Sequence, residues 1–342
     1  MASLMDGHAY TYENFRITGH VDFGDFSEKD EGSAQRTEYN NLKVNRIFAD
    51  LNEDGTLSGN GFYNFRYDAG ETGDPWIDLV QDKIEGITFD NIEIHLENSK
   101  TSRSLSGLIF IARGFHHNAI NNSVMTVCSN TATYCGFISK MPIYSTCSYC
   151  TLTNMELKYG VETVAAKNYA GALCGVCEAL SYITAEHITV NLPNQSYVGG
   201  IAATHSSSNS VSYLNISDVT VTAKSYVYGV KYGNVNLSYA NIDNINVYAT
   251  HGYAAGIANW GYAYYVNLTN ATVISDRSHS PASYTNSTVS SSTGGFFTTA
   301  YTAHHILLEN AYVEGKGAVG GYSGNENYSY SFYNISINNC TV

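Results

Sequence analysis

The chain has 342 residues and a formal net charge of −13, yet charged side chains make up only 14% of it, while tyrosine and glycine supply 29 and 30 residues. Residues 1–100 hold 20 of the 30 acidic and 8 of the 17 basic side chains, so the remainder is nearly neutral. Nucleic acids and anionic membranes are bound through clusters of lysine and arginine, which argues against both as partners. No apolar run reaches the roughly 18 residues of a membrane-spanning helix, so we expect no membrane insertion.

Residues 1–65 are predicted to form an acidic N-terminal cap together with the first coil of a repetitive fold. They lack the glycine marker that recurs later, and the open end of a repeat array needs an atypical terminal unit. The opening letters MASLMDGHAYTYENF show neither the basic nor the apolar region of a signal peptide. We therefore expect either a domain of a longer secreted protein or a protein released by another route, as virion parts are.

Residues 50–57, DLNEDGTL, match the start of a calcium-binding loop. Asp50, Asn52 and Asp54 place side-chain oxygens at positions one, three and five, and glycine follows at position six. Gly61 stands where a bidentate glutamate is required, and the alternative is a hairpin turn built on Asp-Gly. We therefore favour the hairpin turn and expect no cofactor, with calcium as the one candidate that the sequence leaves open.

From residue 66 to residue 342 the sequence repeats with a period of about 29 residues. Each unit opens with a glycine before small apolar residues and closes with an aliphatic residue after an Asn- or Thr-rich strand. The opening glycines are Gly107, Gly136, Gly171, Gly200, Gly229, Gly256, Gly295 and Gly320. The closing residues are Ile94, Val127, Leu157, Val190, Val221, Val247, Val273, Val313 and Val342. Self-similarity at such a period is the signature of solenoids and propellers.

Within a unit, apolar and polar residues alternate, as in LSYANIDNINV at 237–247, and this is the period of a strand. β-branched and aromatic residues are frequent, and the chain has only four prolines. Strands joined by Gly, Asn and Ser turns at this period predict an all-β, right-handed parallel β-helix of about 8–9 coils. A propeller blade needs a longer repeat of antiparallel strands. We therefore expect one continuous solenoid domain over residues 66–342.

Short segments spread along the chain carry a resemblance to a known family: FRITGHVDF at 15–23, LSGNGF at 57–62 and ITFDNIEI at 87–94, with GGIAA at 199–203 and AGIAN at 255–259. They resemble the GLUG-repeat β-helical region that lies upstream of the protease domain in immunoglobulin A1 protease-type metallopeptidases and that occurs in bacterial surface adhesins. The resemblance implies an extracellular β-helix. The zinc motif His-Glu-x-x-His of those peptidases is absent here, so the resemblance carries over no protease activity.

Two CxxC pairs, Cys147 with Cys150 and Cys174 with Cys177, have a spacing close to that of a zinc ribbon. The two pairs lie at different distances from their unit glycines, so they are predicted to project from different parts of the coil. Free cysteine packs as a small apolar residue, and this is the interpretation we favour over zinc. A disulfide is the other alternative that the sequence leaves open.

Aromatic residues are dense between residues 226 and 265, and stacked coils would align some of them as an exposed ladder. Aromatic faces bind sugar rings or protein partners, so these residues are the candidate binding surface. The interpretation that we favour is that they stack between coils and only stabilise the sheet. The predicted binding residues are Tyr226, Tyr228, Tyr232, Tyr253, Trp260, Tyr262 and Tyr264.

No catalytic constellation is visible in the sequence. Asp218 and Asp243 lie at different distances from their unit glycines, whereas a glycoside hydrolase needs two carboxylates about 5–10 Å apart. The histidine pairs at 116–117 and 304–305 are expected to be solvated, because neighbours in a strand point to opposite faces and cannot grip one ion. We therefore expect a protein that is not an enzyme.

Several Asn-x-Ser/Thr sequons, among them Asn215, Asn236 and Asn267, are candidate glycosylation sites on a eukaryotic secretory route. In a chain this rich in asparagine, serine and threonine, many such matches arise from composition.

The sequence favours a non-enzymatic extracellular or cell-surface module, structural or adhesive, such as a stalk or a self-assembling filament subunit. Its partner would be a second copy stacked end to end, or a host or cell-surface protein or glycan. The first alternative is a virion protein similar to a phage or virus tail spike, which binds or depolymerises glycans as a trimer. The second rests on the resemblance alone and is the exosite region of a metallopeptidase without its catalytic domain.

Overall fold

The computed structural model describes residues 13–23, 42–69, 74–96, 105–127, 134–159, 169–204, 210–276, 292–315, 318–321, 323–325 and 331–342. Within these ranges the chain forms strands and no helix, which confirms the predicted all-β class. The named strands pair in parallel, in one sheet of 23 strands and one of four. Long parallel strands in this arrangement are consistent with a β-helix or solenoid.

The strands of the N-terminal part are short, because turns with glycine, asparagine or aspartate interrupt the apolar alternation every few residues. They are β1 (Asn14–Arg16), β2 (His20–Asp22), β3 (Leu42–Val44), β4 (Arg46–Phe48), β5 (Gly61–Asp68), β6 (Ile77–Val80), β7 (Ile84–Glu85), β8 (Thr88–Leu96), β9 (Leu105–Ser106), β10 (Ile109–Ala112), β11 (Gly114–His116), β12 (Ala119–Val127), β13 (Tyr134–Cys135) and β14 (Ile138–Lys140).

The longest strands lie in the middle of the chain, where β17 has 21 residues. The remaining strands are β15 (Thr146–Tyr159), β16 (Tyr169–Ala170), β17 (Ala179–Gly199), β18 (Ser210–Tyr228), β19 (Lys231–Ala249), β20 (Ala254–Ala255), β21 (Ala258–Ser275), β22 (Ser292–Gly294), β23 (Phe297–Glu309), β24 (Tyr312–Gly315), β25 (Ala318–Gly320), β26 (Ser323–Asn325) and β27 (Phe332–Asn338).

Strands that are neighbours in the sheet lie roughly one repeat apart in sequence, so equivalent residues of successive units face each other. We call a set of residues at one register position in successive strands a column. Six of the predicted closing residues form one column by successive pairing: Leu157, Val190, Val221, Val247, Val273 and Val313. Val127 is not part of this column. Met125, two residues earlier in the chain, pairs with Leu157 and takes the position predicted for Val127.

The predicted glycine marker corresponds to a close approach between backbones. A Cβ atom on Gly229 would lie 2.2 Å from the carbonyl oxygen of Gly256 and 2.3 Å from a methyl carbon of Ile245. No side chain fits in that space, so the glycines let successive layers approach. Beside them the alternating apolar side chains form one buried core that runs from Ile17 to Val313.

The predicted boundary between a cap and a solenoid at residues 65 and 66 falls inside β5, which pairs in parallel with β2 and β8. The short strands β1 and β4 pair in the same parallel manner. Residues 1–12 and 24–41 of the predicted cap lie outside the described residues. In the part of the chain that is described, no helix has the length and apolar character needed to cross a membrane.

Candidate functional site

Seven aromatic side chains from successive strands stack into one continuous row, which we call the tyrosine column. Neighbouring ring centroids are 4.4 to 5.2 Å apart, and neighbouring ring planes differ by 1° to 14°. This is the distance and orientation at which aromatic rings stack favourably. The members are His117, Tyr149, Tyr182, Tyr213, Tyr239, Tyr265 and His305.

A second row, the asparagine column, has ten members and runs parallel to the tyrosine column. Each residue of both columns has a positive φ between 49° and 57°, so each marks a bend where the chain turns a corner. Asparagine, aspartate and histidine tolerate this left-handed conformation better than most residues. The members are Asn64, Asn91, Asn122, Asn154, His187, Asp218, Asn244, Asn270, Asn310 and Asn339.

Side-chain amides in the asparagine column hydrogen-bond from one strand to the next. The Nδ2 of Asn154 donates to Oδ1 of Asn122 over 2.9 Å, and the Nδ2 of Asn339 donates to Oδ1 of Asn310 over 2.7 Å. Asn91 donates in the same way to Asn64 over 2.7 Å. These bonds offset part of the cost of the left-handed backbone and hold the bend of each strand over the next.

The tyrosine column presents ring edges to solvent. Its five tyrosines keep 42% to 49% of their surface exposed, but each ring has a neighbouring ring on both faces. A sugar ring binds an aromatic side chain through the ring face, and inside this column those faces are covered. The column is therefore arranged to hold successive strands together, which agrees with the favoured interpretation of the aromatic residues.

Three of the predicted binding residues lie together in a second aromatic set. Tyr134, Tyr169, Tyr197, Tyr226 and Tyr253 stack in succession with centroids 4.8 to 5.7 Å apart. Tyr232 lies across this set, 5.0 Å from Tyr197 and 5.6 Å from Tyr169, and burial raises its pKa. The rings of this set are partly buried and also cover one another.

The structure places the other predicted binding residues elsewhere. Tyr228 is fully buried, and its hydroxyl donates to Oδ1 of Asn259 over 3.0 Å, so it supports the core and presents no surface. Tyr262 stacks on Tyr301 and Tyr264 packs against His304, in two further columns. The side chain of Trp260 lies outside the described part of the structure.

The candidate calcium loop has the geometry of a hairpin turn. An antiparallel bridge between Leu51 and Leu57 closes it. Asp50 pairs with Arg16, and the Asn52 side chain donates to Oγ1 of Thr56. Asp54 accepts hydrogen bonds from the hydroxyl and the amide of Thr56, and these bonds lower its pKa. Each of the three predicted ligands thus has a protein partner, in the arrangement of an Asp-Gly turn.

The two CxxC pairs come from different parts of the coil, as expected: Cys147 and Cys150 lie on β15, whereas Cys174 bridges to Ile138 and Ala202. Their thiols nevertheless interact electrostatically in the core. All four thiols are buried, and Sγ of Cys147 is 3.8 Å from Sγ of Cys150. Lys231, also fully buried, reaches this region from a distant strand, and its Nζ donates to the carbonyl oxygen of Glu178 over 2.9 Å.

Electrostatic coupling links the lysine to the thiols. Burial lowers the pKa of Lys231 to about 8, and the nearby thiols oppose this shift. A hydrogen bond from Cys174, followed by the charge of Lys231, lowers the pKa of Cys177. A hydrogen bond to Cys150 and burial raise the pKa of the free Cys147 thiol. The cluster is enclosed, so it has no direct route to a substrate in this conformation.

The histidine pair at 304–305 departs from the prediction, because the two side chains meet. Nδ1 of His304 is 2.9 Å from Nδ1 of His305. His305 has φ of 57°, and the strict alternation of faces does not hold at a left-handed bend. The predicted glycosylation residues Asn215, Asn236 and Asn267 are exposed and lie within strands β18, β19 and β21.

The sequence analysis did not predict the two columns, although the sequence carries a spacing pattern that marks them. An aromatic residue precedes an asparagine-column residue by five positions in successive units, as at Tyr149 and Asn154 or Tyr239 and Asn244. The density of aromatic residues between 226 and 265 does not reveal this spacing, because the segment contains residues of the tyrosine column, of the second aromatic set and of the stack of Tyr262 on Tyr301. A search at fixed phase across the whole chain would have found it.

Comparison of the chain with protein-family models, with curated proteins and with solved structures gives no match.

Proposed function

We propose that this chain is a non-enzymatic structural or adhesive module of the extracellular space or cell surface, built as a right-handed parallel β-helix. The resemblance to the GLUG-repeat region and the nearly neutral, polar character of residues 101–342 support this location and role. The ten members of the asparagine column favour ten coils over the eight or nine estimated from the glycine marker. Right-handed crossovers are the rule between parallel strands of one sheet.

The observation that supports the proposal most strongly is that side chains on the lateral surface contact each other from strand to strand. Ring faces are covered in the tyrosine column, and asparagine amides are bonded between strands. Such a surface stiffens a rod and leaves few groups free for chemistry. A rigid rod is what a stalk or filament subunit requires.

An exposed strand edge supports self-association as the specific role. Among the described strands, β27 pairs in parallel with β23 on one side only. Phe332 and Ile337 on β27 are 38% and 48% exposed. Unpaired backbone groups and apolar side chains on an edge strand form a template for a further strand. The proposed partner is therefore the first strand of a second copy.

Light scattering over a concentration series, together with negative-stain imaging, tests this role. We expect the wild-type chain to form linear assemblies whose mass grows with concentration. The double variant F332E/I337E adds carboxylates that would face the acidic N-terminal part of the next copy, so we expect it to stay monomeric. The matched control N215E/N267E adds the same charge to the lateral surface and should assemble like the wild type.

Three results would redirect the proposal. A concentration-independent monomer in the wild type removes self-assembly and leaves adhesion to another protein or glycan. A discrete trimer favours the tail-spike alternative, for which shortening of glycan chains on incubation is the decisive assay. Assembly that survives F332E/I337E but is lost in N215E/N267E would place the contact on the lateral surface.

A further inference from the structure

The asparagine column changes its chemistry at two adjacent positions. Eight of its ten members are asparagine, and the other two are His187 on β17 and Asp218 on β18. Glu186 pairs with Ser217, and Ile188 pairs with Val219. His187 and Asp218, which lie between these pairs, are therefore opposite each other. Asparagine adopts the same backbone conformation at the eight other positions, which shows that the fold does not itself require an imidazole or a carboxylate here.

Three potential metal ligands meet at this interruption. Nε2 of His187 is 3.3 Å from Oε1 of Glu186, and Nδ1 of His187 is 3.5 Å from Oδ2 of Asp218. One ligand atom from each of the three residues lies within 4.8 Å of the others, and this is the one such group of three among the described residues. The two short distances end on opposite nitrogens of the imidazole, so one ion uses only one of them. Ligands of a tetrahedral ion with bonds of about 2.0 Å are about 3.3 Å apart. The three ligand atoms, which lie within 4.8 Å of one another, therefore need a side-chain rotation to close around an ion.

We propose that Glu186, His187 and Asp218 form a surface site for a divalent transition-metal ion such as Zn²⁺. The ion takes one imidazole nitrogen and an oxygen from each carboxylate, and water completes the coordination. The side chains are 54%, 52% and 35% exposed for His187, Glu186 and Asp218, so solvent and a further ligand have access. The site is independent of the proposed structural function.

The donor set selects the class of metal. An imidazole with two carboxylates suits zinc, nickel or copper, whereas calcium and magnesium prefer oxygen ligands alone. Two negative charges offset the charge of a divalent ion. Nδ2 of Asn244, the next member of the column, donates to Oδ1 of Asp218 over 2.5 Å and so orients this carboxylate, as outer partners do in metal sites.

Calorimetric titration of the chelator-treated full chain with Zn²⁺, under reducing conditions, tests the site. We expect saturable binding of one ion per chain and a higher thermal unfolding temperature with the ion present. H187N and D218N each install the residue that the column carries at eight other positions, so both variants should fold. We expect H187N to weaken binding by about 100-fold or more, and D218N and E186Q by about 10-fold or more.

Matched variants separate this site from other ligands in the chain. H20N removes an exposed histidine elsewhere and should leave the affinity unchanged. The site is refuted if the wild type shows no saturable binding, or if H187N binds like the wild type. It is equally refuted if D218N and E186Q retain full affinity, which would indicate a lone surface histidine. Binding that disappears only when Cys174 and Cys177 are replaced by alanine would assign the ion to the buried thiols instead.

Discussion

Lys231 is the residue whose environment departs furthest from that of its type. Its side chain is fully buried, and its Nζ has a carbonyl oxygen and several thiols as neighbours. An ammonium group transferred to the interior loses hydration that one carbonyl replaces only in part, and this is why its pKa falls to about 8. The contact with Glu178 spans 53 residues of sequence, so no local pattern predicts it.

The buried lysine predicts a specific pH dependence of stability. Between pH 8 and the ordinary lysine pKa of 10.5, the unfolded chain holds a proton that the folded chain has released. The free energy of unfolding should therefore rise with pH in this window, by up to roughly 3 kcal/mol from this group. K231M lacks the effect, so we expect any stability advantage of K231M at pH 7 to shrink by that amount towards pH 10.5.

Urea unfolding of both proteins between pH 7 and pH 10.5, with reductant present, measures this difference. The charge of Lys231 also lowers the pKa of Cys177, so the difference between the two free energies reports the lysine together with the thiol coupled to it. K224M makes the same replacement at a lysine that is not fully buried and serves as the control. Parallel pH profiles for the wild type and K231M would contradict a buried, partly neutral amine.

At the scale of the element, the strands are long because they bend without ending. In β18 the chain passes through left-handed bends at Tyr213 and Asp218, yet the parallel pairing with β17 and β19 continues through both. The bend residues hold their position by stacking or hydrogen-bonding to the same residue type in the next strand. The interaction between strands in each column thus offsets part of the conformational cost of the left-handed backbone.

Replacement of one ring in the middle of the tyrosine column tests this role. Tyr213 stacks on Tyr182 at 4.4 Å and on Tyr239 at 5.0 Å. Y213A loses both contacts and leaves alanine in the left-handed region, so we expect a loss of about 2–3 kcal/mol in the free energy of unfolding. Y213F keeps the ring and should stay within about 0.5 kcal/mol of the wild type.

Chemical denaturation of these variants beside H117A gives the measurement. Among the described residues His117 stacks on Tyr149 alone, so replacing His117 should cost less stability than replacing Tyr213. Equal losses in Y213A and H117A would show that stacking contributes little and that the backbone conformation dominates. A large loss in Y213F would instead assign the stability to the exposed hydroxyl.

The sequence predicts the strands of this fold better than its surface. Alternation and the repeated glycines are local, and the close approach at Gly229 explains why they recur. The stacking of Tyr213 on Tyr239 depends on the register between units. The segments that join the units differ in length, so the sequence alone does not fix this register. The sequence therefore indicates aromatic density and leaves open whether the ring faces are exposed or covered. The same limit applies to His187 and Asp218, which come together only through the pairing of β17 with β18.

At the scale of the whole molecule, the parallel register makes each unit equivalent to its neighbours. Ala240 pairs with Val266, and Asn241 with Asn267, 26 residues further along the chain. Most contacts in this region are made between adjacent strands of the series. In such an array the stability is approximately a sum over units and the contacts between them.

Removal of one unit in register should therefore leave a shorter protein that folds. Deletion of residues 240–265 joins Tyr239 to Val266 and keeps every remaining column in phase. We expect the strand signal in circular dichroism and cooperative thermal unfolding to persist at a reduced unfolding temperature. The control deletion of residues 240–262 shifts the register by three residues, turns core positions towards solvent, and should aggregate. Aggregation of both chains would show that the units are not interchangeable, and folding of both would show that the register does not determine the core.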